Sequence, residues 1–197
     1  MKAILLQLLL HCAGALAVVT QQKPLVGVDE VPGHNNATYG PVPKNDQLFA
    51  VEFLEIAPTP IIADRVFFVY LRGFLPESKK KELGLVDESL ADATLTVCTS
   101  VVYPNGRREE PTSVAARLKT TAFADTAHLV IRNDRGDQVD YLPSSGQSDL
   151  LLDFQLPKVF LQSGMWTFSV DARLGDQNNT CLFAVEITQW LHGSLQE

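Results

Sequence analysis

The sequence predicts an all-β protein, an immunoglobulin-like antiparallel β-sandwich of two sheets. Three observations carry that expectation. Apolar and polar residues alternate with a period of two in segment after segment between Phe49 and Trp190. Turn residues punctuate these segments at short intervals, and no stretch sustains a helical period. The clearest case is the run from Ser163 to Trp190. Trp166, Phe168, Val170, Ala172 and Leu174 alternate with Thr167, Ser169, Asp171 and Arg173, then Cys181, Phe183, Val185 and Ile187 alternate with Leu182, Ala184, Glu186 and Thr188. Successive strand side chains point to opposite faces, so each strand has a continuous apolar face. Gly175 to Asn179 joins them with residues that tolerate tight turns. A hairpin of this kind lines either a solid core or a hydrophobic cavity, and periodicity does not separate the two.

The other strands follow in order. Phe49 to Ala57 is ended by Pro58-Thr59-Pro60. Arg65 to Leu75 is apolar on both faces, as expected of a strand central in a sandwich or facing a ligand space. Residues 76–92 are charged and read as a surface connection with at most a short helix. Lys79-Lys80-Lys81 could touch anionic headgroups, but a solvated loop is the preferred reading. Ala93 to Tyr103 turns at Asn105-Gly106 into a weaker strand at Val114 to Leu118. His128 to Arg132 and Gln138 to Leu142 flank Asn133 to Asp137, and Leu150, Leu152, Phe154 and Leu156 alternate with Asp153 and Gln155.

The amino terminus reads as a secretory leader over residues 1–17: Lys2, an apolar run from Ala3 to Leu10, and a small-x-small site at Ala15-Leu16-Ala17. That run is too short to span a bilayer. The expected product is secreted or lumenal, in the endomembrane or vacuolar system. Residues 18–47, rich in Pro, Gly and Asn and lacking apolar periodicity, read as a flexible lead-in. The sandwich domain is placed at 48–192 and a tail at 193–197. Asn36 and Asn178 head glycosylation sequons.

Charge and chemistry exclude several classes. Without Lys2 the chain has 15 basic against 23 acidic residues, a formal charge of −8. An acidic chain with no basic stripe is a poor nucleic-acid binder. No Gly-x-Ser-x-Gly elbow, metal-ligand spacing or catalytic cluster of His, Cys and carboxylates stands out, so neither catalytic residues, a metal nor a cofactor is expected. Asp149 and Asp153 share a strand face, opposite the leucines, and read as solvated. Arg135-Gly136-Asp137 spells an integrin-binding tripeptide but equally suits a solvent-facing turn, the preferred reading. Beyond the leader, Cys98 and Cys181 remain, and in an oxidising compartment they suggest one disulfide. Regular strands would put the two thiols on opposite faces, a conflict that a bulge would remove; the pairing is open at this stage.

Three segments resemble the ML family of secreted lipid-recognition domains, which includes fungal phosphatidylglycerol/phosphatidylinositol transfer proteins and Niemann-Pick-type sterol carriers. Leu48 to Leu75 is similar to the family's opening: a strand, a Pro-x-Pro break, then a strand closing on a glycine. Ala93 to Tyr103 resembles the next long strand. Leu156 to Ile187 is the closest match, with its Leu-Pro, a Ser-Gly turn, an aromatic strand ending Asp171-Ala172, a polar turn and Thr180-Cys181-Leu182. Residues 18–47 lack the cysteine that the family usually pairs with the one matching Cys181, and 120–157 lack its central pair. The family's disulfides therefore do not carry over, and the chain resembles a divergent member.

The resemblance implies a non-enzymatic carrier with an apolar cavity between two sheets, holding a sterol or phospholipid. The implied facing positions are Phe67, Val69, Leu71, Val97, Val101, Leu152, Phe154, Trp166, Phe168, Val170, Phe183 and Val185. Burying roughly 300–400 Å² of lipid there would contribute about 7–10 kcal/mol before the costs of binding. Its partner would be the lipid, with transient membrane contact, no nucleic acid, and the chain acting as a monomer. The alternative is a secreted sandwich with a filled core, acting through its surface in adhesion or signalling. A hydrolase on a β scaffold is a distant third.

Overall fold

The structure is a computed structural model that describes residues 29–124, 127–175 and 179–194. The leader, the first part of the lead-in and Asn178 lie outside the described residues. Twelve strands are described: β1 (Gly33–His34), β2 (Ala37–Tyr39), β3 (Ala50–Ala57), β4 (Val66–Phe74), β5 (Thr94–Val102), β6 (Thr112–Arg117), β7 (Thr121–Ala124), β8 (Ala127–Arg132), β9 (Gln138–Val139), β10 (Gln147–Gln155), β11 (Gly164–Arg173) and β12 (Cys181–Leu191). They form an all-β sandwich. One sheet runs β1-β3-β4-β10-β8-β7 with β9 on β8, and the other runs β2-β12-β11-β5-β6. Every strand pair is antiparallel except β1 with β3.

The predicted hairpin is β11 and β12, with Phe168 opposite Ile187 and Val170 opposite Val185. The apolar β4 is central as expected, flanked by β3 and β10. The charged connection forms two short helices, α1 (Glu77–Leu83) and α2 (Asp87–Ala91). Two of its three lysines are held by contacts. Lys79 Nζ donates to the Gln47 and Asn45 carbonyls at 2.5 and 3.3 Å, and Lys80 is buried and paired with Glu77. The Arg135-Gly136-Asp137 tripeptide lies in a solvent-exposed turn in which Gly136 has φ +82° and Asn133 Oδ1 accepts from the Arg135 and Asp137 amides.

The lead-in reading is corrected for residues 29–47. Val31, Ala37 and Tyr39 are buried, β1 joins one sheet and β2 the other. Two side-chain amides hold this segment in place of apolar periodicity. Asn35 Nδ2 donates to the Leu54 carbonyl at 2.9 Å while its Oδ1 accepts from the Ala37 amide at 2.8 Å. Gln47 is buried and brackets Ala184, donating to its carbonyl at 2.9 Å and accepting from its amide at 3.1 Å. A buried amide with each end satisfied is a stable local tether. Asn36, at the first sequon, is exposed.

The disulfide expectation is also corrected: Cys98 and Cys181 are both free. A register shift between Ala172 and Arg173 pairs Arg173 with Cys181 and skips Leu182. This bulge turns the Cys181 thiol toward Asp171, 3.8 Å away, on the outer face that Cys98 also occupies. Parity is therefore no obstacle, but distance is. Cys98 sits opposite Ser169 and Cys181 opposite Arg173, on the two flanks of β11. Two strand spacings across and four residues along amount to roughly 16 Å, far above the ~7 Å Cα limit for a bridge. Burial, and then the neighbouring Asp171 carboxylate, pushes the Cys181 thiol up to about 12. Thiol labelling under denaturing, non-reducing conditions is expected to label both Cys98 and Cys181. In the native protein, half-buried Cys98 should react at least about tenfold faster than Cys181. Labelling of neither in the denatured protein would restore the bridge.

Candidate functional site

The register fixes which side chains enter the space between the sheets. On the seven-stranded sheet these are Phe67, Val69 and Leu71 of β4, opposite Phe154, Leu152 and Leu150 of β10, which in turn face Ala127, Leu129 and Ile131 of β8. On the other they are Trp166, Phe168, Val170 and Ala172 of β11, between Gln189, Ile187, Val185 and Phe183 of β12 and Val101, Thr99, Val97 and Leu95 of β5. All twelve implied positions point inward.

Their burial divides them. Phe67, Leu71, Val101, Phe183 and Val185 are buried. Val69, Val97, Leu152, Phe154, Trp166, Phe168 and Val170 are only half-buried. Val69, Val97, Leu152, Phe168 and Val170 of this set lie in the middle of the sandwich, whereas Trp166 shares a row with Val101 and Gln189, and Phe154 with Phe67. At the end beside α1 and α2 the layer of Leu54, Leu71, Leu150, Ile131, Leu95 and Ala172 is closed. At the other end Val101, Tyr103, Leu161 and Leu191 are buried, and Gln189 seals the layer by accepting from the Ile61 amide at 3.0 Å and donating to its carbonyl at 3.2 Å. Inward apolar side chains on central strands are ordinarily the most buried in a sandwich. Here seven of them keep partial solvent access.

The inward face of edge strand β6 is open to solvent. Val114 pairs with Val97 and shares its inward face, yet is 69% exposed. The sequence reading missed Val114, Thr99 and Leu156 as lining residues. β6 is short, its only signal being the in-phase set Thr112, Val114 and Ala116. The lining is apolar apart from Thr99 and Thr112, and the Trp166 indole N–H is satisfied by the Gln162 carbonyl at 3.1 Å. Aromatic contacts stiffen both walls: Trp166 stacks on Phe168 with centroids 6.2 Å apart, and Phe67 meets Phe154 edge-on at 5.9 Å. Such a site can take up a hydrocarbon chain or ring by shape and burial.

A concavity of about 350 Å³ lies on the outer face of the seven-stranded sheet among Phe68, Ala122, Val130 and Leu151. His128 and Asp153 border it, with Nδ1 to Oδ1 at 2.9 Å, and the same oxygen accepts from the His128 amide at 2.8 Å. The neighbouring hydroxyl of Thr120 is already used, donating to the Val139 carbonyl and accepting from the Ile131 amide. Asp149 is likewise engaged rather than merely solvated. Arg72 Nε and Nη2 grip it at 2.7 and 2.9 Å, and this hydrogen-bonded pair holds its carboxyl below the usual range. Among the described residues no cluster of three His, Cys, Asp or Glu has the geometry to hold a metal. No protein-family model matches the chain, and no curated protein matches it.

Proposed function

We propose that this chain is a secreted, non-enzymatic lipid-binding or lipid-transfer protein that takes a sterol or phospholipid between its two sheets. The observation that carries this reading is the solvent access of Trp166, Phe168, Val170, Leu152 and Phe154, which point inward from central strands. Leaving that much apolar surface unburied in a sandwich core costs roughly 25 cal/mol per Å². A hydrocarbon guest recovers it. The guest's apolar part lies against Val69, Leu152, Phe154, Val97, Phe168 and Val170, and a polar headgroup stays at the β6 side, where Val114 marks the mouth. The sequence likeness to the ML family points the same way, and the leader at residues 1–17 supplies the secretory route.

Native mass spectrometry of the secreted protein, followed by organic extraction, tests it. The expected result is a discrete adduct of lipid mass. Added ligand should also raise thermal stability, by about 2.7 kcal/mol at a hundredfold excess over Kd. A bare protein that takes up neither fluorescent sterol nor fluorescent phospholipid would overturn the reading and leave a surface-acting interaction module.

A further inference from the structure

We infer that one end of the sandwich is a docking surface for a zwitterionic phospholipid bilayer. The observation is where the exposed apolar side chains lie. β4 and β11 begin at this end, and β5 and β12 finish there. Met165 sits opposite Trp190 on one side and Val102 on the other, so the three make an unbroken apolar row across the outer face, 41, 40 and 38% exposed. Beside them the 3-10 turn that precedes β11 projects Val159 and Phe160, the latter 75% exposed, and the loop before β4 adds Ile62. The loops belong to one end because they bond to one another: the Asp64 amide donates to the Leu156 carbonyl and the Lys158 amide to Asp64 Oδ1.

Shape and charge select the occupant. The apolar groups stand on loops and strand ends and project, which suits insertion among headgroups. The Trp190 ring lies edge-on to His192 with its indole N–H 3.4 Å from Nδ1, an amphipathic aromatic of the type that settles at membrane interfaces. The loop charges nearly cancel, with Arg65, Arg107, Arg108 and Lys158 against Asp64, Glu109 and Glu110, whereas the whole chain carries a formal −7. A neutral, zwitterionic surface accepts this end. An anionic leaflet repels the acidic body behind it, and a second copy brings a like net charge. Trp166 follows Met165 directly, so the row adjoins the gap between the sheets. The docking inference goes beyond the lipid-carrier reading and does not require it.

The test is co-sedimentation of the secreted protein with phosphatidylcholine vesicles. Wild type is expected to sediment with them, and doping the vesicles with phosphatidylserine should not strengthen binding. Phe160→Asp should weaken partitioning at least about tenfold without lowering the melting temperature, because the ring is already in water. Leu83→Asp, exposed on α1 at the opposite end, should leave partitioning unchanged. Failure of the wild type to sediment, an equal loss in Leu83→Asp, or a solution dimer that Phe160→Asp dissolves would each overturn the inference. Lipid adducts in native mass spectra of the Phe160→Asp protein report on the gap independently, so the two readings can fail separately.

Discussion

Val170→Phe is expected to raise the melting temperature by a few degrees and to reduce lipid uptake at least about tenfold. Val170 lies on the central strand of its sheet, between buried Val185 and half-buried Val97, and points at the other sheet. If the space before it is open, the added ring covers apolar wall that water now reaches, contributing about 1–2 kcal/mol. That corresponds to roughly 2–8 °C in a domain of this size. The same ring occupies volume that a guest needs. If the space is instead a filled core, the larger side chain overpacks it and costs about 1–3 kcal/mol. The two architectures therefore predict opposite signs for one variant, read by thermal melting and by uptake of a fluorescent sterol. A drop in melting temperature with unchanged uptake would remove the gap as a binding site.

The direction of the lining residues was legible because a strand has a strict period of two. Once Phe168 and Val170 face inward, their neighbours Val185, Ile187 and Val97 must as well. The separation of the sheets was not legible. Whether Leu152 and Phe154 meet the opposite wall or leave a gap depends on how the ends of the sandwich close. That closure rests on pairings distant in sequence, such as Gln189 with Ile61 and Gln47 with Ala184. Side-chain amides of this kind have no periodic signature, which is also why the segment around Asn35 looked unstructured. The sequence admits a bulge as the way to reconcile the two cysteines, but its place at Leu182 was not legible, for a related reason. One skipped residue leaves the apolar alternation on either side intact while turning Cys181 to the other face.

Gly73→Ala is expected to cost about 3 kcal/mol or more of stability, seen as a lower denaturation midpoint with an unchanged slope. A methyl group at Gly73 would fall well inside contact with the Ala50 carbonyl oxygen and the Phe49 ring. Neither neighbour can yield easily. Ala50 and Val51 are in register with Phe74 and Gly73 across the β3–β4 pair, and Phe49 is 2% exposed and packs at 5.9 Å from Phe183. Its amide also bonds to the Leu182 carbonyl at 2.7 Å, so the ring's backbone is tied to the opposite sheet. The double variant with Phe49→Ala separates the two clashes. Phe49→Ala alone should cost about 3–5 kcal/mol as a large-to-small core change. If the ring is the principal obstacle, the second substitution costs little once the ring is gone, and the double variant falls short of the sum. If the carbonyl is the obstacle, the costs add, because truncating Phe49 leaves the β3 backbone where it was. Because Phe49 ties β3 to β12 at the closed end of the sandwich, the first outcome makes one glycine the condition for that closure.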